Sequence, residues 1–580
     1  MAIDVQAAPP TDLARQPSVA ASPPPFHRRL LAPPRLGHLV AAFVLWVLSL
    51  APTLLPRAWV TQVVISAICA AVGWMLGAAL QGLAEWSLGI SGRSHPESLR
   101  ATAWLAFGIV ACLTAVPALW MWVATQNAQR ALLGMDAMPM PAVVPLVLAT
   151  ALLTGLLVLA GRTVSQGVRW VDRQAARVIR PGWARALTAV LVVVAAVALV
   201  NYGQRRFVNW ADEQFGALNE TTEDGVYQPL DPTVSGSPAS AVPWETLGLQ
   251  GRSFVAGATP VGDLTRFHGA AAVVEPPIRV YVGLDSAPSE AERTALVLAE
   301  LERTGAFDRE VLVVATATGT GWINPAAAQA LEYLHRGDTA IVTEQYSFLP
   351  SWITFLIDPN RSSDTGAALF AAVHERWSQL PEDARPLLLA YGESLGALGA
   401  EAAFAGDDLA GSLDAITTRT DGALMVGPTA GNPVLVQMLA EREPDAPTWQ
   451  PVGSHHPHLR LENDIGGIDA ADGAWAAPRI LYLLHPTDAV ATWTPRTIWE
   501  RPGWAGEPHG HGVIDQVGWF PLVTWIQETG DLISGFTAQA GYGHDYSDAF
   551  VPGWAAIAPP PGWTPADTAK LTAHLESLDP

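Results

Sequence analysis

The chain contains few cysteines, and its first third contains few acidic residues. Only Cys69 and Cys112 occur among 580 residues, and both lie inside apolar runs. The remaining two-thirds therefore cannot carry a disulfide framework or a cysteine-based metal site. Residues 1–210 have 6 acidic residues beside 16 arginines, a net charge of +10. This part of the chain is basic and otherwise almost free of charge.

Residues 211–580 have the opposite balance, with 48 acidic and 17 basic residues and a net charge of −31. Such an acidic part repels phosphates, which disfavours nucleic acid as a partner. Half of the whole chain is hydrophobic, and its mean hydropathy is positive. A basic, apolar part followed by an acidic part indicates two different physical environments.

Long apolar runs in the first third predict about five membrane spans. They cover residues 37–56, 59–80, 101–123, 141–160 and 186–202. Each is close to the ~20 apolar residues that cross a bilayer. Five such runs in succession favour a membrane domain over the buried helices of a soluble protein or a cleaved signal peptide. The centres of the spans carry no ionisable residue, which argues against a transport pathway.

The arginines indicate how these spans are oriented. Most of them lie before the first span, between the second and third, or between the fourth and fifth: Arg28, Arg29, Arg35, Arg93, Arg100, Arg162, Arg169, Arg173, Arg177, Arg180 and Arg185. With five spans these segments share one side, which the positive-inside rule makes cytoplasmic. The prediction is a multi-pass protein of the cytoplasmic (inner) membrane with a cytoplasmic N-terminus and an extracytoplasmic C-terminal domain. Arg205 and Arg206, just beyond the fifth span, argue mildly against it.

Composition divides the chain into four parts. We predict a disordered, proline-rich segment at 1–35, a transmembrane helical domain at 36–205, a polar linker at 206–245 and a catalytic domain at 246–580. In the last part strands alternate with helices, which predicts an α/β domain with a mostly parallel sheet covered on both faces. Predicted strands lie at 278–282, 311–315, 340–342, 386–391, 423–426 and 480–484. Predicted helices lie at 289–304, 324–334, 367–380 and 433–441.

The sequence Gly392-Glu393-Ser394-Leu395-Gly396 is the most informative motif. It follows an apolar strand and precedes a helical stretch, so Ser394 is expected in a tight strand–turn–helix elbow. There its hydroxyl points at the helix N-terminus, where backbone N–H groups and the helix dipole favour negative charge. Ser394 is therefore the predicted nucleophile of a serine hydrolase.

An activated serine needs a histidine base, and the base needs a carboxylate. Asp488 leaves a predicted strand where the acid is expected, although a turn-forming Asp after Pro-Thr is an alternative interpretation. His544, in a glycine-rich loop near the end of the domain, is the predicted base. His509 and His511 are rivals, but no strand leads into their loop.

The tetrahedral intermediate needs N–H donors for its oxyanion. One is expected from the backbone of Leu395, next to the nucleophile. The second is expected from the loop after the predicted strand 311–315, where we select Thr320, Gly321 and Trp322. An ordinary glycine-rich turn is the alternative for this loop.

Two further features are open. Residues 346–357 are apolar and uncharged, so they could form an acyl pocket or a lid, or equally a buried strand and turn. The histidines His455, His456 and His458 could bind a metal, but a solvated loop is favoured because no cysteine lies nearby. No metal and no cofactor is expected.

Long blocks of the chain resemble a bacterial family of multi-span membrane proteins with a C-terminal α/β-hydrolase catalytic domain. The blocks are Trp244-Glu245-Thr246-Leu247-Gly248, Arg279-Val280-Tyr281-Val282-Gly283-Leu284, Glu302-Arg303-Thr304-Gly305-Ala306-Phe307, residues 318–322, Gln345-Tyr346-Ser347-Phe348-Leu349-Pro350-Ser351-Trp352, the elbow and Tyr482-Leu483-Leu484-His485-Pro486-Thr487-Asp488. The resemblance implies Ser394, Asp488 and His544 as the triad and supplies no substrate. The chain departs from the family's Gly-His-Gly-His pattern, since it has Gly541-Tyr542-Gly543-His544.

These observations predict a membrane-anchored serine hydrolase that cleaves an ester through an acyl-enzyme. Anchoring beside the lipid bilayer favours a lipid or lipid-linked ester as substrate, because tethering raises its local concentration. An acyltransferase on the same triad is one alternative. A non-catalytic membrane scaffold or transport component is the other, and the intact set of Ser, Asp and His argues against it.

Overall fold

The computed structural model describes residues 33–88, 97–358, 360–451, 456–463 and 475–578. Nearly all of the predicted disordered segment 1–35 lies outside the described residues. The chain forms an all-helical N-terminal region and a C-terminal α/β domain.

Within its described residues, the N-terminal region contains five α-helices. They are α1 (Leu36–Leu48), α2 (Trp59–Ser87), α3 (Glu97–Leu132), α4 (Val143–Ala175) and α5 (Pro181–Asn219). Among the described residues, the four helices α2 to α5 are long and apolar enough to cross a membrane. Large apolar side chains such as Leu105, Leu152 and Leu199 point outward from them, as they do on helices surrounded by lipid.

The first predicted span, residues 37–56, differs from the structure. Helix α1 has 13 residues and ends at Leu48, so it is about 20 Å long and shorter than a bilayer core. The chain then forms an irregular loop up to Ala58. Pro52 and Pro56 lie in this loop, and neither can donate a helical backbone hydrogen bond.

Helix α5 is longer than the predicted fifth span at 186–202. It has 39 residues and continues over the first part of the predicted linker. The linker was predicted from Pro, Ser, Thr and Gly, and these residues are concentrated after Asn219. Near its end, Ala211 and Phe215 pack against Ile353 of the hydrolase-like domain. The helix therefore joins the two regions directly.

A seven-stranded parallel sheet forms the core of the C-terminal domain. Its strands are β1 (Ile278–Val282), β2 (Val311–Thr316), β3 (Thr339–Glu344), β4 (Leu387–Glu393), β5 (Gly422–Val426), β6 (Leu459–Glu462) and β7 (Arg479–Leu483). Their spatial order is β1-β3-β2-β4-β5-β7-β6. Strands β1, β2 and β3 are buried throughout, as expected when helices cover both faces of a parallel sheet. The six predicted strands are present.

Strand β6 was not predicted. It is a four-residue strand that pairs with β7 and lies at the end of the order of described strands. Its sequence Leu-Arg-Leu-Glu is too short and too charged to stand out from a loop. The strand forms because its backbone completes the ladder beside β7, which is a tertiary effect.

Helices pack around the sheet. They are α6 (Gly248–Ala256), α7 (Val261–His268), α8 (Glu290–Thr304), α9 (Pro325–Leu334), α10 (Ser351–Ile357), α11 (Asn360–Ser378), α12 (Leu395–Ala402), α13 (Leu409–Arg419), α14 (Pro433–Glu441), α15 (Ala489–Thr492), α16 (Val523–Gly535), α17 (Phe550–Ile557) and α18 (Pro565–Glu576). Local signals fix several ends. Ser289 and Glu292 form a capping box at the start of α8, and Gly305 ends it in the left-handed conformation.

Strand order brings the candidate functional loops to one edge. Strand β4 is central, with β2 and β5 on either side and β7 beyond β5. Because all strands are parallel, the segments that follow β2, β4 and β7 leave from the same carboxyl edge. Ser394 and Asp488 lie in two of these segments.

Candidate active site

Ser394 occupies a strained turn between β4 and α12. Its φ is +56° and its ψ is −124°, a left-handed conformation that residues other than glycine rarely adopt. Its amide donates a hydrogen bond to the carbonyl of Val426 at the end of β5 (2.8 Å). The strand, tight turn and helix predicted for this motif are all present, and they hold the serine at the carboxyl edge of the sheet.

Gly392 and Gly396, on either side of Ser394, must be glycines because other backbone atoms lie too close for a Cβ. A Cβ on Gly392 would lie 2.4 Å from the carbonyl oxygen of Gly396. A Cβ on Gly396 would lie 2.2 Å from the carbonyl oxygen of Thr316, the last residue of β2. Helix α12 is therefore pressed against the end of β2. Its first amide is that of Leu395, and amides in the first turn of a helix have no acceptor within the helix, so this N–H can serve an oxyanion.

Asp488 and His544 are in direct contact although 56 residues separate them. Nδ1 of His544 lies 2.7 Å from Oδ2 of Asp488, and both side chains are buried. The other carboxylate oxygen, Oδ1, accepts a hydrogen bond from the amide of Val490 (2.8 Å). The carboxylate therefore fixes the imidazole so that Nε2 is left to act on another group.

Nε2 of His544 is buried and has no hydrogen-bond partner within the described part of the chain. The imidazole lies over Gly427, since a Cβ there would be 2.8 Å from its Cε1. Gly427 directly follows Val426, which accepts the amide of Ser394. The base and the serine thus lie at the same strand end, but the hydrogen bond between them is not formed. Such a bond often tightens only when substrate binds.

Two family descriptions match the chain. The description "Alpha/beta-hydrolase family" matches residues 278–571, and "Alpha/beta-hydrolase family N-terminus" matches residues 50–259. The chain belongs to this α/β-hydrolase family. No curated protein and no solved structure matches it.

Tyr546 is a component of the candidate site that sequence reasoning missed. Its hydroxyl donates to the same Oδ2 of Asp488 (2.8 Å) and accepts a hydrogen bond from the amide of His485 (3.0 Å). His485 stacks on the tyrosine ring, with centroids 4.0 Å apart. The signal was the position of Tyr546 two residues after His544, but a sequence alone does not show where such a ring points.

Further hydrogen bonds join the loop of Asp488 to the loop of His544. The amide of Gly543 donates to Oγ1 of Thr487 (2.8 Å), and its carbonyl accepts from Nδ1 of His485 (3.1 Å). Burial lowers the pKa of His485 to about 4, so this imidazole is neutral near pH 7. It serves as a fixed donor rather than as a second base.

The electrostatics around His544 favour its charged form. Burial, the largest single influence, lowers the pKa of His544, but the carboxylates of Asp488, Glu393 and Asp545 together outweigh it and raise this pKa above its usual value. Glu393, the residue before the nucleophile, contributes to the same rise. Burial raises the pKa of Glu393 itself to about 7, and its carboxylate accepts hydrogen bonds from Tyr391 (3.0 Å) and Asn324 (3.2 Å).

The loop after β2 has a fixed conformation beside the elbow. The amide of Gly321 donates to the carbonyl of Thr318 (2.8 Å), so this N–H is committed within the loop. The carbonyl of Gly321 accepts from the hydroxyl of Tyr281 (3.0 Å), and that of Thr320 accepts from Nε2 of Gln345 (2.8 Å). Trp322 accepts a hydrogen bond from the amide of Thr318 through its carbonyl (3.0 Å). The role of Thr320 and Trp322 as oxyanion donors stays a prediction.

Residues 346–357 form a loop followed by helix α10, so the interpretation as a buried strand and turn is wrong. Pro350 precedes the helix and cannot donate to a neighbouring strand. Tyr346 packs beside Leu395 and Leu398 of the nucleophile helix, together with Phe355. The segment therefore forms an apolar wall next to Ser394.

The other histidines have different partners. Nδ1 of His509 lies 3.5 Å from Asp515, and Nε2 of His511 lies 3.0 Å from the hydroxyl of Tyr542. His456 and His458 contact backbone groups of their own region, and His455 lies outside the described residues. Among the described residues, no group of three or more potential ligands could hold a metal ion.

Proposed function

We propose that this protein is a membrane-anchored serine hydrolase that cleaves a carboxylic ester of a lipid or lipid-linked molecule. One observation carries the proposal. A buried imidazole bonded to a buried carboxylate presents an unoccupied Nε2 at the strand end where a strained serine sits. This combination matches the requirements of nucleophilic catalysis by serine.

The chemistry follows from these groups. Nε2 of His544 removes the proton of the Ser394 hydroxyl while Asp488 stabilises the imidazolium. The serine oxygen attacks the ester carbonyl, and the oxyanion is held by the Leu395 amide and a donor from the loop after β2. His544 then gives its proton to the leaving alcohol as the C–O bond breaks. Water, deprotonated by the same imidazole, hydrolyses the acyl-enzyme and releases the acid and the free serine.

An apolar cavity supports a lipid as the source of the ester. A cavity of about 630 Å³ lies between α5 and α10, and it is lined by Leu199, Val200, Gly203, Gln204, Phe207, Trp352, Ile353 and Ile357. Helix α10 separates this cavity from the nucleophile helix, because Ile353 packs on α5 whereas Phe355 packs on α12. Lipid chains beside α5 would thus lie next to the wall of the active site.

Arginine placement supports an extracytoplasmic hydrolase domain. The α1–α2 loop and the end of α3 lie at the hydrolase domain, since Leu54, Leu55 and Leu133 pack with Ala489 and Trp504. Arg35, just before α1, and the arginine-rich segment between α4 and α5 lie at the opposite helix ends. By the positive-inside rule those ends are cytoplasmic.

Covalent labelling tests the proposal. The full-length protein in detergent should react with a fluorophosphonate probe, and Ser394→Ala should abolish labelling. Ser378→Ala, at the exposed end of α11, is the matched control and should label like the wild type. Labelling of Ser394→Ala at the wild-type rate would refute the assignment.

The substrate class is tested with matched esters. The unlabelled full-length enzyme should release fatty acid from a diacyl lipid in vesicles and show little turnover of a polar peptide substrate. Preference for the peptide would overturn the lipid part of the proposal while leaving the serine mechanism intact.

A further inference from the structure

A buried ion pair joins the membrane region to the hydrolase domain. Nε of Arg57, in the α1–α2 loop, donates to Oδ1 of Asp531 on helix α16 (2.9 Å), and both side chains are fully buried. Oγ1 of Thr53 donates to Oδ2 of the same carboxylate (2.5 Å), and Nη2 of Arg57 donates to Thr53. Arg57 and Asp531 are 474 positions apart in the chain.

Neighbouring residues form further hydrogen bonds around the Arg57–Asp531 pair. Nη1 of Arg57 donates to Oε1 of Gln62 on α2 (3.0 Å), and the backbone amide of Arg57 donates to Oε1 of Gln126 on α3 (2.6 Å). On the hydrolase side, Nε2 of Gln527 donates to the carbonyls of Ser49 (3.0 Å) and Ala51 (2.8 Å). A buried charge without its partner is strongly unfavourable, so this network commits α16 to one position on the membrane region.

Helix α16 also contacts the base loop. Its last residue, Gly535, accepts a hydrogen bond from the amide of His544 (3.1 Å). A Cβ on Gly535 would lie 3.6 Å from Cβ of His544 and 3.9 Å from Cδ1 of Leu55. The base is therefore attached by its backbone to the same helix that the membrane region holds.

The same helix contacts the segment that follows the catalytic acid. Oε1 of Glu528 accepts hydrogen bonds from Oγ1 of Thr492 (2.9 Å) and Nε1 of Trp504 (3.2 Å). Thr492 ends helix α15, whose N-cap is Asp488. One helix thus links the membrane region, the acid and the base.

We propose that Arg57 is a positioning residue for the catalytic base: by holding Asp531 it sets the place of α16 and, through Gly535, of His544. The proposal rests on the serine hydrolase function argued above. It makes the membrane region a structural part of the active site rather than an anchor alone. The hydrolase domain cut free at residue 246 would bury Asp531 without its partner or expose the face of α16, and its catalysis should suffer even with water-soluble substrates.

The test uses the full-length protein in nanodiscs and a short, water-soluble p-nitrophenyl ester, which needs no access through the bilayer. Arg57→Met and Asp531→Asn should each lower kcat by about tenfold or more, because small displacements of a catalytic group are costly. KM should change by less than about twofold, since neither residue lies in the apolar wall near Ser394. Arg57→Lys, which keeps the charge, should recover part of kcat.

A larger side chain between α16 and α2 tests the same positioning role without altering the ion pair. A Cβ on Gly530 of α16 would lie 2.5 Å from Cδ1 of Ile65 on α2, so Gly530→Val should push α16 away and lower kcat in the same manner. Ile533→Ala, on the exposed face of the same helix, is its matched control. Asp263→Asn, in the exposed pair with Arg266, is the control for loss of a carboxylate. Both controls should keep wild-type kcat.

The outcomes separate this proposal from the proposed function. Wild-type kcat in folded Arg57→Met and in Gly530→Val would overturn the positioning role. A fall confined to KM would also overturn it, because it would indicate substrate access. Ser394→Ala, assayed in parallel, reports on the serine mechanism itself: if that variant keeps wild-type turnover, the proposed function fails independently of Arg57. Should Arg57→Met not fold, Arg57→Lys and Gly530→Val still decide the question.

Discussion

Tyr546 donates a hydrogen bond to Oδ2 of Asp488 over 2.8 Å, the same oxygen that His544 contacts through Nδ1. The carboxylate is therefore held from two sides by buried groups. A carboxylate that is fixed in this way cannot rotate away from the imidazole, which keeps Nε2 directed at the strand end where Ser394 sits.

Replacement of this tyrosine tests the arrangement. Tyr546→Phe removes the hydroxyl but retains the ring that stacks on His485. A hydrogen bond to a charged group contributes about 1.5–3 kcal/mol, so we expect kcat/KM for a short ester to fall by about tenfold or more. Tyr542→Phe removes a hydroxyl that is hydrogen-bonded to His511 (3.0 Å), and it should retain wild-type kcat/KM. Equal losses in the two variants would contradict the role of Tyr546.

The pH dependence of kcat/KM should report the pKa of His544. If His544 is the base as proposed, its neutral imidazole is the active form, so activity should rise as pH increases through this pKa, which Asp488 and Glu393 raise. Glu393→Gln removes a negative charge that favours the imidazolium, and it should therefore shift the acid limb of the profile to lower pH.

Glu401→Gln is the matched control for this shift. Glu401 is also buried, and burial raises its pKa to about 7, but its carboxylate bonds to Asn432 and the amide of Val434 instead. The acid limb of the kcat/KM profile of Glu401→Gln should therefore coincide with that of the wild type. A profile for Glu393→Gln that coincides with the wild type, or moves to higher pH, would contradict the assignment.

The elbow should not tolerate a side chain at its last glycine. In Gly396→Ala the new Cβ would meet the backbone oxygen of Thr316 at 2.2 Å, and neither strand nor helix can yield easily. We expect the free energy of unfolding to fall by about 1–3 kcal/mol, read as a lower Tm in thermal unfolding. In Gly431→Ala the nearest atom, Oγ1 of Thr429, is 3.8 Å away, so its Tm should stay close to the wild type. An unchanged Tm for Gly396→Ala would contradict the close approach of Gly396 to the backbone oxygen of Thr316.

Orientation can be measured by cysteine labelling from outside intact cells. In a background that lacks Cys69 and Cys112, Asp383→Cys places a thiol on the exposed surface of the hydrolase domain and Ala176→Cys places one beside the arginine-rich α4–α5 segment. A membrane-impermeant maleimide should label Asp383→Cys in intact cells and Ala176→Cys only after lysis. The reverse pattern would place the hydrolase domain in the cytoplasm.

Much of the fold was predictable because its signals are local. The apolar runs that become α2 to α5 are properties of single segments, as is the strand–turn–helix at Ser394. The predicted strand at 278–282 matches β1 to the residue. Such features depend on spacing and residue type within about 20 positions, which a sequence displays directly. The short first helix was missed because total apolarity outweighed the two prolines of the following loop.

The sequence by itself determined where the Gly-x-Ser-x-Gly elbow and the apolar helical region lie, since both follow from local pattern. Only the tertiary structure decided that Tyr546 donates a hydrogen bond to Asp488, that residues 346–357 pack beside Ser394, and that Arg57 pairs with Asp531. Arg57 follows a proline and Asp531 lies within a helix, and neither position in the sequence indicates which residue it contacts. Pairing across hundreds of residues depends on how helices and sheet pack, and packing is a property of the whole chain.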